Sequence, residues 1–122
     1  MALPSPTPEP AGVLLDQVLG SLLADFSNWF GRGLVLLDSC PDAVMGMAER
    51  QELRQKLELA IRELAAATSL RQATPAPMAL EMATLAPWHQ LVLSVWQLSA
   101  NLRRAGVALP EMEPLPQPPG FA

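Results

Sequence analysis

The sequence predicts an all-α fold: a three-helix antiparallel bundle with disordered proline-rich termini. Three observations lead there. Apolar residues recur at steps of three and four along three separate stretches, the period of an amphipathic helix. Proline-rich segments at residues 1–10, 74–77 and 110–122 bound those stretches, because proline lacks the backbone donor a helix needs. No run shows the clean alternation and hairpin dipeptides of strands. The connections are short, so successive helices are expected to run antiparallel.

The bulk composition agrees with a single folded unit. The chain has 122 residues, 50% of them hydrophobic and 16% charged, which favours a core over disorder. Residues 1–10 read as a disordered leader, 11–107 as the helical bundle and 108–122 as a disordered tail. The middle portion, about 97 residues, suffices for one core but not two. A net charge of −4, with only Arg103 and Arg104 adjacent among the basic residues, argues against a nucleic-acid binder that neutralises phosphates. The lone Cys40 allows no internal disulfide and has no CxxC partner, which suits a reducing, cytoplasmic setting. The N-terminus lacks the basic and apolar regions of a secretory signal.

The first helix is expected over about residues 12–38. Leu14/Leu15, Val18/Leu19, Leu22/Leu23, Phe26 and Trp29/Phe30 form its apolar stripe, with Asp16, Gln17, Ser21, Asp25 and Asn28 opposite. Asp16 lies near the positive end of the helix dipole. Gly20, Gly31 and Gly33 weaken the helix, and Gly31-Arg32-Gly33 marks a bend or a close approach by another helix. A loop follows over residues 39–46, where Pro41 pushes Cys40 out of the α region, and Met45 and Met47 are expected to cap the core.

The second helix is expected over about residues 48–72. Its first half carries four acids and four bases between residues 49 and 63, and the pairs Glu52/Lys56 and Glu58/Arg62 have favourable i,i+4 order. Leu53, Leu57, Ala60, Ile61, Leu64, Ala67 and Thr68 form the buried stripe, and the alanines at 65–67 are slim enough for close packing. Pro75 and Pro77 end the helix, and residues 78–84 are ambiguous between a short turn and an irregular link.

The third helix, residues 85–102, has no charged residue. Gln90, Ser94, Gln97 and Asn101 make one thin polar stripe, and most of the remaining surface is apolar, so this helix is expected at the centre, packed on both others. Pro87 falls in the first turn, Arg103 and Arg104 favour the negative end of the dipole, and Gly106 is the expected stop. Pro87, His89, two glutamines, two serines and Asn101 lie within the uncharged stretch and make a transmembrane span costly, so none is expected.

Two segments carry a resemblance. LLADFSNWFGRGLVLL (residues 22–37) resembles an LL-x-DF-x-x-WF-x-R pattern, and LAPWHQLVLSVW (residues 85–96) resembles an L-x-PWH-x-LV-x-x-x-W pattern. Together they are similar to a small cyanobacterial family of helical proteins of unknown function, over roughly residues 12–104. The resemblance implies an intracellular, all-helical protein and no activity. The Pro75-Ala76-Pro77 linker and the proline-rich tails depart from the pattern.

No catalytic, cofactor or metal signature stands out: no phosphate loop, HExxH or GxSxG occurs. His89, the only histidine, has no second ligand at helical spacing, so a structural role is its first reading, a partner contact its second and catalysis its third. Trp29, Trp88 and Trp96 read as core rings whose N–H groups find partners, with an interface anchor as the alternative. Asp25 and Arg32 share a side of the first helix and read as solvated charges or a link to another helix. Cys40 has no basic sequence neighbour and reads as a passive thiol. The methionines read as packing, and the acidic proline-rich tail as solvated or as a docking peptide. The side of the third helix bearing His89, Leu93, Trp96 and Ala100 is the candidate partner-binding surface.

Three functions follow. The first is a non-enzymatic interaction, assembly or regulatory module whose partner is an unknown protein or a second copy, expected to expose an apolar patch. The second is peripheral membrane association through the first helix, whose polar face is acidic and would be repelled by anionic lipid. The third is an enzyme centred on His89.

Overall fold

A computed structural model of the chain describes residues 10–73 and 82–109. It contains three helices: α1 (Pro10–Asp38), α2 (Met47–Ala73) and α3 (Met82–Arg104). The described residues contain no strand. Residues 1–9 of the expected leader, the Pro75-Ala76-Pro77 linker and most of the expected tail lie outside the described residues; Pro10, expected in the leader, opens α1.

The helices run up, down and up. Arg54 of α2 reaches Asp38 at the end of α1, and Arg71 near the end of α2 reaches Asp16 near the start of α1. On the other side Phe26 meets Trp88 and Trp29 meets Trp96, so α3 runs parallel to α1. One core fills the space between them. Phe26, Phe30, Leu36, Leu57, Val92, Val95, Leu98 and Leu102 are its most deeply buried large side chains, drawn from all three helices. Truncating a ring such as Phe26, fully buried, costs about 3–5 kcal/mol.

The central helix is α1, not α3. α1 packs along both other helices, whereas α2 and α3 meet only sparingly. The reason lies in the facing stripes. α1 has an apolar arc broad enough for two neighbours, while α3 turns its polar stripe toward α2. α1 therefore sits between its two neighbours, and a corner between α2 and α3, opposite α1, is left open.

Gly33 permits this arrangement. A β-carbon there would lie 2.7 Å from Val95 Cγ2 and 2.9 Å from Leu57 Cδ1, so side chains of α2 and α3 both rest on bare α1 backbone. Gly31 faces open space, and α1 continues unbroken to Asp38. Gly20 makes room for a charge instead, since a β-carbon there would press on the Arg71 guanidinium at 2.9 Å. Of the alanines expected to allow close packing, only Ala67 packs on the core; Ala65 and Ala66 are exposed.

The ends of the elements have local causes. α1 begins at Pro10, whose fixed φ suits a first helical turn. It ends as Ser39 and Cys40 donate to the carbonyls of Leu36 and Leu37, and Val44 and Met45 then donate to the Pro41 carbonyl within the loop. Met45 packs on the core, but Met47 is exposed. α3 starts at Met82, so Pro87 sits inside the helix rather than in its first turn. It removes the donor that would bond four residues back. α3 ends as expected at Gly106: φ is +74°, its N–H donates to the Arg103 carbonyl, and Val107 N–H donates to the Leu102 carbonyl. Val107 and Leu109 then fold onto the core.

Candidate functional site

The two sequence patterns meet between α1 and α3. Phe26 lies at the centre, stacked on Phe30 (5.8 Å between ring centres) and edge-on to Trp88 (5.6 Å) and His89 (5.2 Å). About one turn along α1, Trp29 tilts against Trp96 at 5.7 Å. Aromatic pairs at these separations each add about 0.5–1.5 kcal/mol beyond burial. The recognisable residues thus build packing: Phe26, Trp29, Phe30 and Trp88 are buried.

The candidate surface is a rim to this seam. His89 and Ala100 are half-buried, while Leu93 and Trp96 remain exposed at 39% and 42%. Trp96 therefore meets the Trp29 ring and still remains partly open to solvent. The buried Trp29 Nε1 has no hydrogen-bond partner among the described residues, contrary to the expectation for a core tryptophan. Asp25 and Arg32 are both half-buried on the same helix.

A second feature lies on the other side of α3. The open corner between α2 and α3 is a cleft of about 680 Å³. Its α2 bank is Glu49, Glu52, Lys56, Leu59 and Glu63, and its α3 bank is Pro87, Gln90, Ser94, Gln97 and Asn101. Both banks step by three, four, three and four residues, so each is a straight stripe along its helix. Each stripe spans about 21 Å at 1.5 Å per residue. The floor is apolar, formed by Leu53, Ala60, Trp88, Leu91 and Leu98. Polar stripes on both banks favour a solvated gap: closing the cleft would desolvate its carboxylates, a cost that hydrogen bonds from the α3 amides only partly offset.

The banks differ electrically. The α2 bank carries three carboxylates against one ammonium, and Lys56 is already bonded to Glu52 at 3.1 Å. Glu58 and Arg62, at the same spacing, form no ion pair within the described residues. The α3 bank is uncharged, and Ser94 spends its hydroxyl on the Gln90 carbonyl at 3.1 Å. A signal for the cleft exists in the sequence: the Pro87/Gln90/Ser94/Gln97/Asn101 stripe of α3 and the Glu49/Glu52/Lys56/Leu59/Glu63 stripe of α2 share one spacing. Taken singly, each reads only as a solvated face.

Neither cleft nor rim assembles familiar catalytic chemistry. Among the described residues no three of His, Cys, Asp and Glu lie close enough to hold a metal ion. Cys40 is buried, and burial pushes its thiol above the usual 9.0 despite the opposing charge of Arg50. Arg50 is distant in sequence but not in space: its guanidinium bonds the Cys40 carbonyl at 2.8 Å and pairs with Asp42. No helix among the described residues is long and apolar enough to cross a membrane.

Comparison with known proteins places the chain by family. Residues 9–104 match the family described as "Protein of unknown function (DUF2605)". The chain belongs to this family. The match runs from the residue before α1 to the end of α3 and so takes in the whole three-helix unit, both cleft banks included. No curated protein and no solved structure matches the chain. The family description attaches no chemistry, so function rests on the geometry.

Proposed function

We propose that this DUF2605 protein is a non-enzymatic interaction module that supplies three corners of a four-helix arrangement and receives the fourth helix from a partner. One observation carries the reading: α1 holds α2 and α3 apart, leaving a groove along both, with an apolar floor and polar banks. Amphipathic helices dock in grooves of this kind, their apolar stripe on the floor and their polar edges on the rims. The setting that fits is the cyanobacterial cytoplasm, with Cys40 as a thiol, and the role is adaptor, assembly factor or regulatory subunit.

The test uses tagged full-length chain and its native host extract. Ser94→Trp fills the middle of the cleft, while Leu93→Ser alters the Trp96 side of the same helix. A partner retained by the native chain should be lost with Ser94→Trp and kept with Leu93→Ser. The reverse result would assign recognition to the surface of His89, Leu93, Trp96 and Ala100, a second reading favoured by the exposure of Leu93 and Trp96.

A further inference from the structure

We infer that the helix taken by the α2–α3 cleft is cationic along one edge, and that this edge lies over α2. The inference rests on the docking function proposed above and specifies the occupant. Glu49, Glu52 and Glu63 stand on one bank, with Lys56 as the only opposing charge, whereas the α3 bank offers Gln90, Ser94, Gln97 and Asn101. The Glu52–Lys56 pair removes one carboxylate from the count and leaves Glu49 and Glu63, two heptads apart in sequence, at the two ends of the bank. A bound helix with Lys or Arg at matching positions, about four turns apart, would reach both. Its other edge would meet amides, which accept and donate and so take serine, asparagine, glutamine or threonine.

A second copy of this chain is a poor occupant. The chain is acidic overall, at −4, and two copies meeting cleft to cleft would bring the Glu49/Glu52/Glu63 banks together. Like charges across an interface oppose association. The C-terminal segment is disfavoured in the same way, because Glu111 and Glu113 are acidic. The floor sets the strength. Trp88, Leu98 and Ala60 are already buried by the bundle itself, leaving Leu59 and Pro87 as the exposed apolar side chains on the banks. Little further apolar surface is gained on docking, so charge contributes a large share of the discrimination and the complex is salt-sensitive.

The experiment titrates the isotope-labelled full-length protein with three synthetic helices of about 15 residues, the length of the cleft. The first has an apolar stripe at three–four spacing and lysines along one edge. The second replaces those lysines with glutamates. The third keeps the first composition with the stripe scrambled. The lysine helix should shift the amides of residues 49–63 and 87–101, and bind at least about tenfold more tightly than the glutamate helix at low salt, with the gap shrinking as salt rises. Glu49→Lys with Glu63→Lys, both exposed, should reverse the preference while leaving the helical circular dichroism unchanged. Equal binding of the lysine and glutamate helices in the cleft would overturn the cationic partner and leave helix docking standing. Equal binding of the scrambled peptide, or no shift in the cleft with any peptide, would overturn both.

Discussion

Gly33 is where one hydrogen atom decides the spacing of three helices. Any side chain there meets Val95 and Leu57 below 3.0 Å, so Gly33→Ala should destabilise by about 1–3 kcal/mol even though alanine is the better helix former. Gly31→Ala meets nothing within 4 Å and should stabilise by about 0.5–1 kcal/mol. Urea unfolding of the two variants checks the opposite signs. Trp29 gives a second residue-level expectation. Its buried Nε1 lacks a partner among the described residues, so Trp29→Phe relieves a desolvated donor while losing ring area. The change should cost under about 1.5 kcal/mol, well short of a typical large-to-small change. Cys40 gives a third. With its thiol raised by burial, the folded state holds that proton more tightly than the unfolded chain. Its contribution is therefore intact below the ordinary 9.0 and is lost as pH climbs through the higher folded value. Stability of the native chain should fall more steeply than that of Cys40→Ala between 9.0 and the raised folded value, and alkylation of the folded thiol should be slow at neutral pH. The sequence identifies Gly31–Gly33 as a close approach or bend, but which glycine bears the contact depends on side chains 24 and 62 positions away, at Leu57 and Val95.

At the scale of elements, the ion pairs that join helices matter more than the surface pairs along α2. Arg71 donates to both the carboxylate and the carbonyl of Asp16, at 2.9 and 3.0 Å, and Gly20 leaves room for its guanidinium. This ties the last turns of α2 to α1. Arg71→Ala should cost about 1 kcal/mol and speed amide exchange in residues 65–73, whereas Lys56→Ala, which breaks an exposed i,i+4 pair, should cost under about 0.5 kcal/mol. Sequence position alone makes Asp16 a partner of the helix dipole; the structure puts it beyond the first turn, where a base 55 residues away takes it instead. Element limits are legible where proline or glycine punctuates: the loop at Pro41, the end of α2 before Pro75 and the stop at Gly106. The start of α3 is not, because Pro87 imitates a first turn and Thr84, a residue type that caps helices, falls inside the helix instead of at its start.

Across the whole molecule, fold class and helix count follow from periodicity, but the arrangement does not. Composition points to α3 as the hub because little of it is charged. The hub is α1, since centrality needs two apolar neighbours and α3 has one apolar face and one amide stripe. The candidate surface at His89, Leu93, Trp96 and Ala100 follows from that apolar excess, and half of it is absorbed by Phe26 and Trp29. The cleft is legible in the sequence only as two stripes of equal spacing. Joining them requires knowing that α2 and α3 lie side by side with the corner opposite α1 vacant. Photo-crosslinking in the native host probes that corner most directly, with the crosslinking residue placed at Gln97 on the cleft bank or at Leu93 on the Trp96 side. Helix docking in the cleft predicts a protein adduct from Gln97 and little from Leu93; an adduct from Leu93 with none from Gln97 would contradict it.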